Sequence, residues 1–208
     1  MDYLSDPEQI YAQSFAIIKS EADLGRFSGD ERDLAIRLIH SSGMIDIVDD
    51  LVISKGAIGA GRAALAAGAA VICDVNMLVY GIIRRKLPAS NPLLCALDDQ
   101  QAKPLAQKMA TTRSAAGIEL LRHELPGAIV AIGNAPTALF RLLEMLDQGL
   151  KKPALIIGFP PGFVGAAESK GQLIANLHGV PFIALEGRRG GTALAAAAVN
   201  ALVSGLKT

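Results

Sequence analysis

An α/β fold on a mainly parallel sheet is what this sequence predicts, from three observations. From about residue 51 onward, short β-rich runs alternate with Ala-rich helical runs, the pattern of repeated βα units. Residues 128–133 and 154–159 are nearly continuous apolar stretches, as expected of strands covered on both faces. With 208 residues, 51% hydrophobic and 19% charged, the chain has the material for one compact domain over residues 1–208.

Taken in order, residues 7–23 carry a helical pattern, with Ile10, Phe15, Ile17 and Ile18 apolar and Ser14 near the middle. A second helix opens at Ser28. Glu31 three residues later makes a capping box, and Asp30, Glu31 and Asp33 crowd the first turn, where the helix dipole favours negative charge. Gly43 is a natural left-handed residue to end it. His40 then falls in the last turn, near unpaired carbonyls and the negative dipole end, a position that favours imidazolium. Arg37 lies one turn earlier on the same face, while Leu34, Leu38 and Ile39 supply apolar packing. A basic, proton-donating face of this kind suits an anion; the plainer reading is a His that merely complements the dipole. This helical segment, about residues 7–43, is expected to pack on the α/β body.

Six strands are expected, at residues 50–54, 70–74, 93–97, 128–133, 154–159 and 181–186, with helical runs between most of them. Arg84-Arg85-Lys86-Leu87-Pro88 reads as a solvated turn, and no linker or repeat divides the chain. Gly59, Gly61 and the alanines around them, like Ala193 and Ala195 to Ala198, let helices approach closely, either within the chain or across a dimer contact.

Composition excludes some functions. A formal net charge of zero, a pI near 6.8 and 4% aromatic residues leave no electrostatic footprint and few stacking platforms for nucleic acid. The first residues lack a basic n-region and an apolar core, and no uncharged apolar segment reaches spanning length, so a soluble, cytoplasmic protein without membrane contact is expected. Cys73 and Cys95 sit in apolar runs without metal or redox spacing and read as buried free thiols.

In parallel α/β sheets ligands bind beyond the carboxyl ends of strands. Three junctions there combine glycine with a cap residue: residues 131–137, 158–170 and 186–192. Each can aim backbone N–H groups at an anion. Arg37, Arg113, Arg188 and Arg189 add fork-shaped donors, which together suggest a ligand with several carboxylates or phosphates. A dinucleotide fingerprint at Gly59-Ala-Gly61-Arg-Ala-Ala64 fails on spacing, because Gly59 comes well after Ser54 and only 15 residues before Asp74. His123 and His178 read as solvated residues near helix ends, and no triad or metal-ligand spacing is present.

The segments Asp6-Pro-Glu-Gln-Ile-Tyr-Ala-Gln-Ser14-Phe, Arg37-Leu-Ile-His40, Thr112-Arg113-Ser114, Gly133-Asn134-Ala-Pro-Thr-Ala-Leu-Phe and Gly162-Phe-Val-Gly-Ala-Ala-Glu168-Ser-Lys170 resemble the precorrin-8X methylmutase family, which includes the cobalt-precorrin-8 methylmutases. The resemblance runs almost end to end. It implies a flavodoxin-like three-layer fold, a homodimer with active sites near the subunit interface, and no cofactor or metal. It also implies a reaction on a tetrapyrrole substrate: methyl migration between adjacent ring carbons, giving hydrogenobyrinate or its cobalt form. By position, His40 matches the family's catalytic acid, Ser14 and Arg37 its substrate contacts, and Arg113 a motif arginine at the site. Ser41 stands where some members have Ala. Two other readings share parts of this pattern: a non-catalytic tetrapyrrole carrier, and a flavodoxin-like protein for a phosphorylated small molecule.

Overall fold

The structure is a computed structural model that describes residues 3–175 and 177–204. Two helices come first, α1 (Pro7–Glu21) and α2 (Gly29–Ser42), followed by a 3-10 helix, Ile45–Asp50. The body is β1 (Leu51–Ile53), α3 (Ala57–Ala66), β2 (Val71–Cys73), α4 (Asn76–Gly81), β3 (Leu93–Leu94), α5 (Ala102–Lys108), α6 (Arg113–Leu120), β4 (Ile129–Ile132), α7 (Pro136–Asp147), β5 (Leu155–Gly158), α8 (Ala166–Ala175), β6 (Phe182–Leu185) and α9 (Thr192–Val203). All six expected strands are present, each shorter than the run that predicted it, because the ladder ends where a neighbour ends.

The sheet order is β1-β6-β5-β4-β2-β3, with every pair parallel except β1 and β6. Without β1, the five parallel strands run in flavodoxin-like order, 2-1-3-4-5 when renumbered along the chain. The strands alternate their side chains between two cores. Val71, Cys73, Ile129, Ala131, Ile157 and Ile183 pack under α2, α3 and α9. Ile72, Val130, Ile132, Ile156, Phe182 and Ala184 pack under α6, α7 and α8. Helices on both faces of one sheet make the three layers.

Gly61 and Gly81 serve packing within the chain. A Cβ on Gly61 would come within 2.8 Å of both Leu155 and Leu202, and one on Gly81 within 2.7 Å of Ala196. Gly59 differs from expectation: it is exposed, with open space where a side chain would be.

Helix α2 ends as expected, with Gly43 at φ 69° and its N–H on the Ile39 carbonyl at 2.8 Å. Its start does not. Ser28 makes no side-chain cap, since Gly29 takes φ +48°, outside the helical geometry a capping box needs at its first residue. Asp30 instead pairs with Arg62 on α3.

Antiparallel β1 brings the N-terminal helices to the sheet edge. Leu51 pairs with Leu185, so β1 begins where β6 ends, and Glu186 N–H donates to the Asp50 carbonyl at 2.7 Å. The 3-10 helix and the C-terminal end of α2 are thereby delivered to the carboxyl edge of the sheet, the edge where α/β proteins bind ligands.

Candidate active site

Helix α1 lies against α2 and meets His40 with a polar residue and two rings. Ser14 Oγ stands 2.8 Å from His40 Nδ1. Tyr11 is tilted over the imidazole at 5.0 Å between centroids, and Phe15 meets it edge-on at 5.4 Å. Residues 11, 14 and 15 reach one side chain because positions three and four apart share a helix face. The half-buried ring is held on its Nδ1 side. In the protonated form Nδ1–H donates to Ser14 Oγ and Nε2–H is the proton left for a ligand.

A cleft of ≈ 460 Å³ opens beside this pair. Ile10, Ile17, Ile39 and Ile45 form its apolar wall, Ser14 and His40 supply polar groups, and exposed Gln13 and Glu21 border it. Ile10, Tyr11 and Ile17 stay 42–54% exposed, so α1 presents apolar surface that none of the described residues covers. Arg37 sits with its guanidinium 5.8 Å from the Phe15 ring centroid, opposite a ring that also touches His40. It has no carboxylate partner among the described residues. A half-buried guanidinium without an anion, next to an acid-capable imidazole and an apolar wall, suits a flat apolar ligand with a carboxylate at its margin. Ser41 Oγ donates to the Leu38 carbonyl at 3.0 Å, back along its own helix.

The Gly-rich junctions differ from expectation. At 131–137 the amides of Gly133, Asn134 and Ala135 already have an acceptor: the buried Asp74 carboxylate, at 2.9, 2.9 and 2.7 Å. This lies between β2 and β4, the point where the strand order reverses, so the chain fills the anion cradle there with its own acid. Burial pushes the Asp74 carboxyl up, against the pull of the three N–H groups. The other two junctions bond to each other: Gly162 N–H to the Arg188 carbonyl at 3.0 Å, and Gly191 N–H to the Phe159 carbonyl at 2.8 Å. Gly190 is required there, since a Cβ would fall 2.2 Å from the Phe159 carbonyl oxygen.

The arginines also divide. Arg189 is engaged by Asp46 and Asp50. Arg188 lies 5.1 Å over the exposed Phe163 ring. Arg113, the first residue of α6, is exposed and 3.9 Å from Asp98. It does not line the His40 cleft; α6 packs on the opposite face of the sheet from α2.

Residues 9–205 match the profile of the family described as precorrin-8X methylmutase. The chain belongs to that family. It is therefore an isomerase of cobalamin biosynthesis. The precorrin-8X methylmutase of Pseudomonas aeruginosa is 56% identical over 204 residues, covering 98% of each chain. That of a Sinorhizobium species is 51% identical, covering 97% of this chain and 96% of the relative. The cobalt-precorrin-8 methylmutase of Priestia megaterium is 36% identical over 94% of this chain and 87% of its own. Among solved structures, the precorrin-8X methylmutase of Thermus thermophilus superposes with a TM-score of 0.85 at 36% identity, covering 95% of each chain. The fold of that structure agrees with the flavodoxin-like sheet described above.

Of the residues singled out from sequence, Ser14, Arg37 and His40 come together around Phe15, and Arg113 does not join them. His123 is exposed, and His178 Nε2 lies 3.4 Å from Asp147. Burial pushes the Cys73 thiol up, which leaves it inert, whereas Cys95 is half-buried rather than buried. Among the described residues no group of three His, Cys, Asp or Glu converges, and no helix is long and apolar enough to cross a membrane. Sequence reasoning does not single out Tyr11, Phe15 or Asp74 as site residues. The first two flank Ser14 at helical spacing, a signal that was available; Asp74 had none, because its partners lie in the turn between β4 and α7.

Proposed function

We propose that this protein converts precorrin-8X to hydrogenobyrinate, with His40 as the general acid and Ser14 and Arg37 as substrate contacts. The observation that carries the reading is the imidazole held by Ser14, Tyr11 and Phe15 at the mouth of an apolar cleft.

The reaction breaks one C–CH₃ bond and forms another at the neighbouring ring carbon, so atoms and oxidation level are unchanged. The protein has to hold the macrocycle and make it electron-poor. A proton from His40 Nε2 does so, and returns to the imidazole when the methyl group has moved. Such assistance contributes roughly 10²–10⁴-fold, about 3–5 kcal/mol off the barrier. Ser14 keeps the imidazole from rotating, and the isoleucine wall takes the flat face of the ring. The self-filled cradle at Asp74 tells against a phosphorylated ligand at the strand-order reversal. The Pseudomonas and Sinorhizobium relatives, above half identity, carry the metal-free name, whereas cobalt-named relatives such as that of Priestia megaterium are 32–36% identical, which favours the metal-free substrate.

The protein works as a cytoplasmic homodimer in this reading. Arg113 then reaches a substrate carboxylate from the second subunit, since it lies away from the cleft of its own chain, and the uncovered apolar side of α1 fits a site completed by a partner or by substrate.

The visible absorption of metal-free precorrin-8X is followed after adding wild-type protein or His40→Ala. Conversion by wild type alone, with the variant still binding the macrocycle, is expected. Equal turnover by His40→Ala removes His40 from its role, and tight binding without conversion by wild type makes the protein a carrier.

A further inference from the structure

Between α2 and β1 the 3-10 helix Ile45–Asp50 forms part of the cleft, with Ile45 in its wall and Gly43 just before it. Its sequence, Ile-Asp-Ile-Val-Asp-Asp, has little reason to hold its shape alone: it is two turns long, in the poorer 3-10 geometry, and carries three acids. Two arginines from distant parts of the chain hold it. Arg26 donates to the Val48 carbonyl, and to those of Leu51 at 2.9 Å and Asp49 at 3.3 Å, so its guanidinium sits at the carbonyl-rich C-terminal end. Arg189 holds the other side. Its Nε donates to Asp50 Oδ2 at 2.8 Å, one terminal nitrogen to Asp46 Oδ2 at 2.7 Å, and the second to the Asp46 carbonyl at 3.2 Å and to Asp50 Oδ2 at 2.6 Å.

Arg189 is itself fixed from behind. Lys170, with none of its surface exposed, donates Nζ to the Arg189 carbonyl at 2.6 Å. A fully buried ammonium is costly and is retained where it serves a definite contact. Here it locks the peptide from which the Arg189 fork reaches the 3-10 helix. A planar guanidinium is the right shape for this contact, since it spans two carboxylates four residues apart, which a point-charge ammonium cannot do.

We propose that Arg189, backed by Lys170, is a positioning residue for substrate binding: it sets the 3-10 helix, and with it Ile45, at the distance from α1 that the macrocycle needs. This rests on the reading of the cleft as the methylmutase site. His40 is held by α1 through Ser14, Tyr11 and Phe15, independently of Arg189. Loss of the clamp therefore widens the cleft while leaving the acid in place, and the defect falls on binding rather than on the chemical step.

The experiment measures kcat and KM with precorrin-8X, and the Kd for hydrogenobyrinate from its visible spectrum, for wild type, Arg189→Met, Arg189→Lys, Asp46→Asn and Asp46→Asn/Arg189→Met. Arg189→Met is expected to raise KM and Kd by ~10-fold with kcat within ~3-fold of wild type. Arg189→Lys recovers part of the loss, and the double variant binds no worse than Arg189→Met, because both substitutions break one contact. An unchanged Kd in Arg189→Met overturns the proposal even if its thermal midpoint falls, as does a fall confined to kcat or additive losses in the double variant. Should Arg189→Met fail to fold, Asp46→Asn decides alone: its side chain is 68% exposed, and a wild-type Kd in that variant overturns the proposal. A wild type that neither binds nor converts the macrocycle overturns the methylmutase reading itself, and this inference with it.

Discussion

Ser14 illustrates how much a single hydroxyl decides. Its Oγ is the hydrogen-bond partner of His40 Nδ1, and the flanking rings define the plane of the imidazole but not its rotation within that plane. Ser14→Ala is expected to reduce kcat by ~10-fold, the effect of losing the hydrogen bond to His40, and to raise KM as well, since Ser14 is also a substrate contact. Ser14→Thr, which keeps a hydroxyl, recovers most of it. Steady-state kinetics on the three proteins check this, and full activity in Ser14→Ala means the rings alone orient His40. The ring was legible in sequence as a helix-end residue because Gly43 and the α2 periodicity are local signals. Its hydrogen-bond partner was named only through family resemblance, since Ser14 lies 26 residues away.

At the scale of elements, Asp74 ties the end of β2 to the start of α7. Its carboxylate accepts from three consecutive amides, which sets the turn that launches the helix. Asp74→Ala leaves the buried Gly133 N–H and the partly buried Asn134 and Ala135 N–H groups without their acceptor and is expected to destabilise the fold by about 3 kcal/mol, given ~1–3 kcal/mol for a buried unsatisfied group and less for the two that water can reach. Asp74→Asn, which keeps one oxygen but turns an NH₂ toward another N–H, falls between. Urea midpoints of the three proteins test the order; a loss under about 1 kcal/mol in Asp74→Ala means water replaces the carboxylate easily. A second element, the α3–sheet contact, rests on the missing side chain of Gly61. Gly61→Ala pushes a methyl against Leu155 and Leu202 at 2.8 Å and is expected to cost ~1–3 kcal/mol by the same measurement.

For the whole molecule, stability and assembly are the quantities to test. Burial pushes the Lys170 ammonium down to about 8 from an ordinary 10.5, against the attraction of Asp50. Below pH 8 the amine is protonated in both folded and unfolded chains. Between about 8 and 10.5 the unfolded chain holds the proton and the folded one does not, so stability contributed through this group rises as pH rises across that window. The thermal midpoint of wild type minus that of Lys170→Met is therefore expected to increase from pH 7.5 to pH 10; a flat difference means Lys170 keeps its proton. Assembly has its own test. If Arg113 serves the site of a second subunit, mixing inactive His40→Ala with inactive Arg113→Ala and allowing exchange regenerates about one working site in each mixed dimer. No recovery in mixtures that do exchange places Arg113 and His40 in the same chain's site, and an Arg113→Ala that is active on its own places Arg113 outside it.

Neighbours along the chain were enough to specify the elements. Six strands and helical runs between most of them follow from periodicity, and His40 at a helix end follows from the αL glycine three residues on. The purpose of each polar group was settled only by packing. Three glycine junctions that read as anion cradles prove to be closed by Asp74, by Phe159 and by one another, and Arg189, read as a ligand donor, grips two aspartates of a wall. Those partners lie 59 and 143 residues apart in sequence. A donor's free or engaged state depends on which distant acceptor the packed layers bring within 3 Å, and local sequence sets only the donor, not the partner.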